Sequence, residues 1–335
     1  MTNKRLTRRR FLVTNVGALM AGAFLRSSLS GQQPTNDPGA AYRSGRRSLF
    51  QLSPPPGKPL PTKTTDTGIR VSGDRAERML THIAEAPGLK RGELVLCAEY
   101  GRIEIMDSDD DQIRLQIRLE SNAGKAIEDT QIRAHLTSDA EDFNVRVWHE
   151  TQGFGRSVRP CDVGIRLQVP SFGSYKIDAI ANHGCVGVHR LTLASCKLRG
   201  LVGIKVQQVK GYQGGHDLNN VIVSGDLDVA TDAPQGFGNA WIHGTMRVVS
   251  SCKVTARTNE GSIRLSFSLE PETGIDVIGR SDEGKVLLIG IAEDPRTLKS
   301  GSEAHRRSEG FEGKRIQVAV HATSSRSDVT IVSPI

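Results

Sequence analysis

Residues Val254 to Leu265 read V-T-A-R-T-N-E-G-S-I-R-L. Two short runs of alternating apolar and polar residues meet at Asn259-Glu260-Gly261. Val254 and Ala256 share one face before the turn, and Ile263 and Leu265 share it after. A period of two is the mark of a half-buried strand. Asn and Gly between the runs supply a corner, because both accept positive φ at little cost. The stretch therefore predicts a strand, a tight corner and a second strand.

The same template recurs along the chain. Two and four residues after a glycine stand Ile103/Ile105, Val186/Val188, Val202/Ile204, Leu227/Val229, Met246/Val248, Ile263/Leu265 and Val286/Leu288. All these positions are apolar, although only 37% of the chain is. The corner glycines so defined are Gly101, Gly184, Gly200, Gly225, Gly244, Gly261 and Gly284. The last six are separated by 16, 25, 19, 17 and 23 residues. A period near ~20 residues, with one strand and corner per step, predicts an all-β protein in which coils stack as a β-solenoid, a parallel β-helix-like repeat. Ser327 continues the pattern in place of glycine, with Val329 and Ile331 after it.

Charge locates the other parts of the chain. The net charge is +7, yet residues 1–30 hold Lys4, Arg5, Arg8, Arg9, Arg10 and Arg26 and no acid. Without them 38 basic residues face 37 acidic ones. The basic balance therefore belongs to the N-terminus and gives no reason to expect nucleic acid as a partner. Arg8-Arg9, Phe11 and Leu12 precede an apolar run to Leu25. This segment resembles a twin-arginine export signal, which implies periplasmic or cell-surface location, with membrane attachment only if the signal stays uncleaved. Residues 31–66 are rich in Gly, Ser, Pro and Thr and predict a disordered linker. Residues 67–173 predict a β-rich cap carrying one or two short helices, at 74–86 and 123–136. Residues 174–335 predict the repeat region, continuous with the cap.

The order of these features carries a resemblance. Glu99 to Ile105, Ile165 to Pro170, Ala179 to Val188, Thr258 to Leu265 and Ser327 to Ile331 together are similar to the bacterial "putative adhesin" family of β-solenoid domains. The resemblance spans roughly residues 90–332. It implies a solenoid fold and an envelope location, and it carries no catalytic residues.

Candidate chemistry is sparse. His183, His243, Glu260 and Glu283 each precede a template glycine and would line one edge if the coils stack in register. Gly214-Gly215-His216-Asp217 and Asp226-Leu227-Asp228 offer acids for calcium, as do four carboxylates in Asp107 to Asp111, but coordination needs six to eight oxygens. Five cysteines form no C-x-x-C pair, and Cys196 and Cys252 lie in matching Ser-Cys-Lys triplets that would stack. There is no G-x-S-x-G elbow, Walker loop or dinucleotide fingerprint, and no cofactor is called for. The reading that follows is a non-catalytic, adhesin-like envelope protein that binds a protein or polysaccharide partner. The alternatives are a β-helix enzyme acting on an envelope polysaccharide and an end-to-end polymerising scaffold.

Overall fold

The computed structural model describes residues 46–47, 52, 54–122, 124–152, 161–201, 215–232, 240–291 and 303–333. Arg8, Arg9, Phe11 and Leu12 lie outside them. The described residues are mostly strand, with one short α-helix, Gly124–Glu128, and one turn of 3-10 helix, Phe311–Gly313. No helix among them is long and apolar enough to cross a membrane.

Two long ladders of hydrogen-bonded strands organise the unit that begins at Gly45. In the first, residues 91–98 of the strand Arg91–Ser108 pair in parallel with residues 174–181 of Ser174–His189. Parallel pairing continues through Thr192–Leu201, Leu227–Asp232 and Cys252–Thr258. In the second, residues 101–106 of the first strand pair with residues 184–189 of the next. Gly215–Val223, Ala240–Val248 and Gly261–Leu269 follow. Each level thus places one strand in each ladder, and Arg91–Ser108 and Ser174–His189 run through both.

The order of the last levels differs from the order along the chain. Ile316–Ser324 pairs with Cys252–Thr258 on one side and Thr273–Ser281 on the other. Val329–Val332 likewise lies between Gly261–Leu269 and Val286–Ile289. The last described level is therefore inserted between the two that precede it in sequence.

Alternation along each strand builds the core from registered columns. In the first ladder Leu94, Ile177, Cys196, Leu227, Val254, Val320 and Val277 stand in one column, all at most 3% exposed. In the second, Ile103, Val186, His216, Ile242, Ile263, Val329 and Val286 form another. Full burial of such aliphatic side chains contributes roughly 1.5–3 kcal/mol each before conformational entropy is subtracted.

Antiparallel strands extend the ladders at both ends. Arg75–Glu85 pairs with Gln112–Ser121, which pairs with Asp162–Pro170. The expected helix at 74–86 is thus a strand. Its residues are half-buried on both faces near the ladder's margin, so Met79, Leu80 and Ile83 give no clean alternation. The expected helix at 123–136 is confined to Gly124–Glu128, which buries Ala126 and Ile127. Thr130–Asp139 is a strand against Asp142–Gln152. The expected linker is also shorter than residues 31–66. Lys58–Pro59 and Thr62–Asp66 are strands within it, paired with Thr137–Ser138 and with Arg75–Glu85. Glu303–Arg307 closes the far end of the first ladder, antiparallel to Thr273–Ser281.

Candidate functional site

The corner between the ladders is built on one column. Gly101 pairs with Gly184, Ala240 pairs with Gly261, and Ser327 and Gly284 each lie two residues before the paired Val329 and Val286. Only Gly101 among the described template glycines has positive φ, at 125°. The requirement elsewhere is close approach, which corrects the expectation of positive φ at Gly261. A Cβ on Gly261 would lie 1.3 Å from the Ala240 carbonyl oxygen, and one on Gly184 would lie 1.5 Å from that of Gly101.

Three template glycines occupy other places. Gly225 sits at the opposite turn, where a Cβ would meet the Ala194 carbonyl oxygen at 1.8 Å. Gly200 lies near the end of a first-ladder strand, paired with Ala181 and Thr231. Gly244 lies within a strand, in the core column between Leu218 and Leu265. Its space is filled by Met246 and Leu265 side chains. The true equivalent of Ile263 in that level is Ile242, not Met246.

Beside the corner column runs a buried column of small and hydroxyl residues: Ala98, Ala181, Gly200, Thr231, Thr258, Ser324 and Ser281. Ser324 Oγ donates to the Gly261 carbonyl at 2.8 Å and accepts from the Ser327 amide at 3.0 Å. Ser281 Oγ donates to the Ser327 carbonyl at 2.9 Å and accepts from the Gly284 amide at 2.8 Å. The two serine hydroxyls thus satisfy backbone groups that the sharp corner takes out of the ladders, whereas the Thr231 and Thr258 hydroxyls are buried without a partner. This column is unmarked in sequence, because Ser and Thr at strand ends look like solvent-facing residues.

The four residues expected to line an edge do not assemble. Glu260 and Glu283 lie next to the corner column, with Arg326 between them at 2.9 and 3.8 Å. A guanidinium therefore occupies the place a cation would need. His243 is exposed within the strand Ala240–Val248, away from that edge. Of His183 only the backbone is described, opposite Tyr100.

The acids offered for calcium diverge as well. His216 enters the core column, whereas Asp217 faces out. Asp226 accepts the Lys253 amide at 2.8 Å, and Asp228 pairs with Arg199 at 2.5 Å and Arg257 at 3.2 Å. Asp107 pairs with Arg190 at 2.7 Å. Asp110 binds Arg114 and accepts from Ser108 at 2.7 Å, and these bonds hold its carboxyl down at about 2. Among the described residues no group of three or more metal-ligating side chains converges. All five cysteines are free thiols. Cys196 is in register with Val254, not Cys252, so the two triplets do not stack.

Several buried polar atoms among the described residues lack a hydrogen-bond partner, His216 Nδ1 and Asp178 Oδ1 among them. His216 is fully buried and bonds the Ala230 carbonyl through Nε2 at 3.0 Å, while Nδ1 has no partner. Burial pushes its pKa down to about 4. Asp178, on the outer side of the first ladder, has no hydrogen bond at Oδ1. Burial raises its pKa above the ordinary value, against the pull of Lys197 and Arg199.

The outer faces of the two ladders carry rows of polar side chains, exposed on the second ladder and mostly half-buried on the first. On the first ladder Asp178, Lys197, Asp228, Thr255 and His321 stand in one row. On the second, Asp217, His243 and Arg264 do. Neighbouring strands in such rows are about 4.8 Å apart, so the polar groups recur at an even spacing.

No family model matches the chain, and no curated protein does. Solved structures similar to it include a "putative cell adhesion protein" from Clostridium sporogenes, 11% identical, with a TM-score of 0.42 over 77% of this chain and 99% of that one. A "putative adhesin" from Bacteroides fragilis is 9% identical, with a TM-score of 0.25 over 76% and 97%. One from Parabacteroides distasonis is 8% identical, with a TM-score of 0.23 over 76% and 96%.

Proposed function

We propose that the chain is an exported, non-catalytic envelope or surface protein of adhesin-like character. Its two ladders are read as the two sides of a β-solenoid. Its partner, a protein or a polysaccharide, docks on the outer strand faces. The observation that supports this reading is the even spacing of exposed polar side chains along Asp217, His243 and Arg264, with a half-buried polar row along Lys197, Asp228 and Thr255 on the other ladder. Rows of this kind match a partner with its own repeat, because each level offers a similar contact and weak contacts add along the row.

The test is retention of envelope material by immobilised protein lacking residues 1–44. The envelope is divided into a protease-treated fraction and a polysaccharide-depleted one. Saturable retention of either supports the reading, and the fraction retained identifies the partner class. Retention of neither would sink it. Release of new reducing ends from the polysaccharide fraction would favour the β-helix enzyme instead. Export is tested separately by the fate of an Arg8→Lys, Arg9→Lys variant, which should stay in the cytoplasm.

A further inference from the structure

We infer that the outer face of the second ladder around Trp241 is a glycan-binding platform, a proposal that rests on docking at the strand faces and commits it to a polysaccharide. Trp241 pairs with Gly215 on one side and Ser262 on the other. A Cβ on Gly215 would meet the Trp241 ring at Cδ2, Cε2 and Cγ, at 2.4, 2.5 and 2.8 Å. Three adjoining ring atoms at such even distances place the indole flat over the Gly215 backbone. One face of the ring therefore lies against the sheet, and the ring stays partly open to solvent. Glycine at 215 is what allows this, since any side chain would lift the ring.

The surroundings have the chemistry of a sugar site. His243 is two residues from Trp241 on the same face, with ring centroids 6.5 Å apart. Asp217 and Arg264 flank His243 on the neighbouring strands, and all three are exposed. Asp217 supplies acceptors, Arg264 supplies donors in a planar fork, and His243 supplies one of each. Vicinal hydroxyls need that mixture, because each donates and accepts at once. The apolar face of a pyranose carries C–H groups of slight positive charge, which suit the electron-rich face of an indole. An apolar protein partner would leave Asp217, His243 and Arg264 desolvated and unmatched, which costs free energy. The mixed polar row therefore favours a hydroxyl-rich glycan over a hydrophobic protein surface.

The two tryptophans make the test direct. Trp148 is 5% exposed, whereas Trp241 is partly open, so emission changes on binding report Trp241. The full chain after export would be titrated with dextran, xylan and polygalacturonate, following tryptophan emission and gel retardation. At least one glycan should bind saturably with a blue shift. Trp241→Ala should weaken that binding 10-fold or more, Trp241→Phe less. Gly215→Ala should weaken it with the indole still present, and Asp217→Ala and Arg264→Ala by several-fold. Thr323→Ala, on the first ladder, should change nothing. Equal retardation of the parent and of a folded Trp241→Ala variant would overturn the platform while leaving docking at a strand face intact. Failure of all three glycans to bind would also overturn it, and retention of envelope protein in that case would preserve the broader reading.

Discussion

Gly261→Ala is the most exacting perturbation of the corner. The added Cβ would sit 1.3 Å from the Ala240 carbonyl oxygen and 2.2 Å from its carbon. Ordinary contact needs more than 3 Å, so two paired backbones must part by about 2 Å. That displacement pulls on the ladder bond at Ala240 and on the Ser324 Oγ bond to the Gly261 carbonyl, 2.8 Å long and buried. Losing one net ladder bond costs about 0.5–1.5 kcal/mol, and stranding the buried hydroxyl about 1–3 kcal/mol. Overpacking of this kind adds about 1–3 kcal/mol. Allowing for overlap between these terms, we expect about 3–5 kcal/mol. At about 2–3 °C per kcal/mol for a unit of this size, the melting temperature should fall by about 6–15 °C. Circular dichroism on heating reads the effect, and amide exchange should show it concentrated at residues 240–269. Gly244→Ala is the control. Its Cβ meets the Met246 methyl at 2.7 Å and the Leu265 methyl at 3.2 Å, and a flexible thioether can move. Its cost should stay near ~1 kcal/mol. A Gly261→Ala variant melting within 1–2 °C of the parent (under ~1 kcal/mol) would refute the close-approach argument.

Other expectations follow from the same geometry. Ser324→Ala should destabilise by about 1–3 kcal/mol in urea, since it orphans the Gly261 carbonyl and the Ser327 amide; an unchanged midpoint would show that the hydroxyl column is incidental. His216 has a folded pKa near 4, and burial likewise depresses His149 to about 4. The unfolded chain binds more protons below the ordinary 6.5, so stability should decline from about pH 6.5 to 4 and level off below. The slope is at most ~1.4 kcal/mol per pH unit per histidine, and His216→Leu should remove about half of it. At the closing strand, burial would raise the Asp276 carboxyl, but Arg307 at 2.7 Å and His305 at 2.6 Å outweigh it and hold it below 3.8. That stability is present above 3.8 and lost as pH falls through the folded value. The protection of amides 303–307, taken relative to their intrinsic exchange rates at each pH, should therefore fall in acid, and Asp276→Asn should remove that fall.

The parts of the fold legible in sequence are those where burial is one-sided. Val254, Ala256, Ile263 and Leu265 alternate because one face meets the core and the other meets water, and all four are at most 1% exposed. Arg75–Glu85 was illegible because its residues are half-buried on both faces, which erases the period of two. Gly244 fitted the template by coincidence, since Met246 and Val248 are apolar for their own level and not two steps beyond a corner. His216 reads as a loop residue beside Gly214-Gly215, yet it fills a core position between Val186 and Ile242. Nothing local distinguishes those cases. The Glu260–Arg326–Glu283 row and the Trp241–Gly215 stack were hidden for a related reason. Each joins residues far apart in the chain, and only the register of the levels sets them side by side.

The inserted position of residues 316–332 bears on how the chain is made. A ribosome releases Cys252–Leu269 first, and that level can dock on the ones before it as soon as it emerges. Residues 273–289 cannot follow in turn, because their partner strands, 316–324 and 329–332, have not been synthesised. Two levels must therefore settle together in one late step, joining segments 43 to 66 residues apart. Closing such a loop costs little entropy per extra residue, but it delays the reward of contact until residues 316–332 have been made. Until then Cys252–Thr258 and Gly261–Leu269 present open edges, the form in which β-proteins are most prone to misassociate. Residues 316–332 thus act as a keystone: their arrival joins the level before them to the level after, and both are fixed in one event.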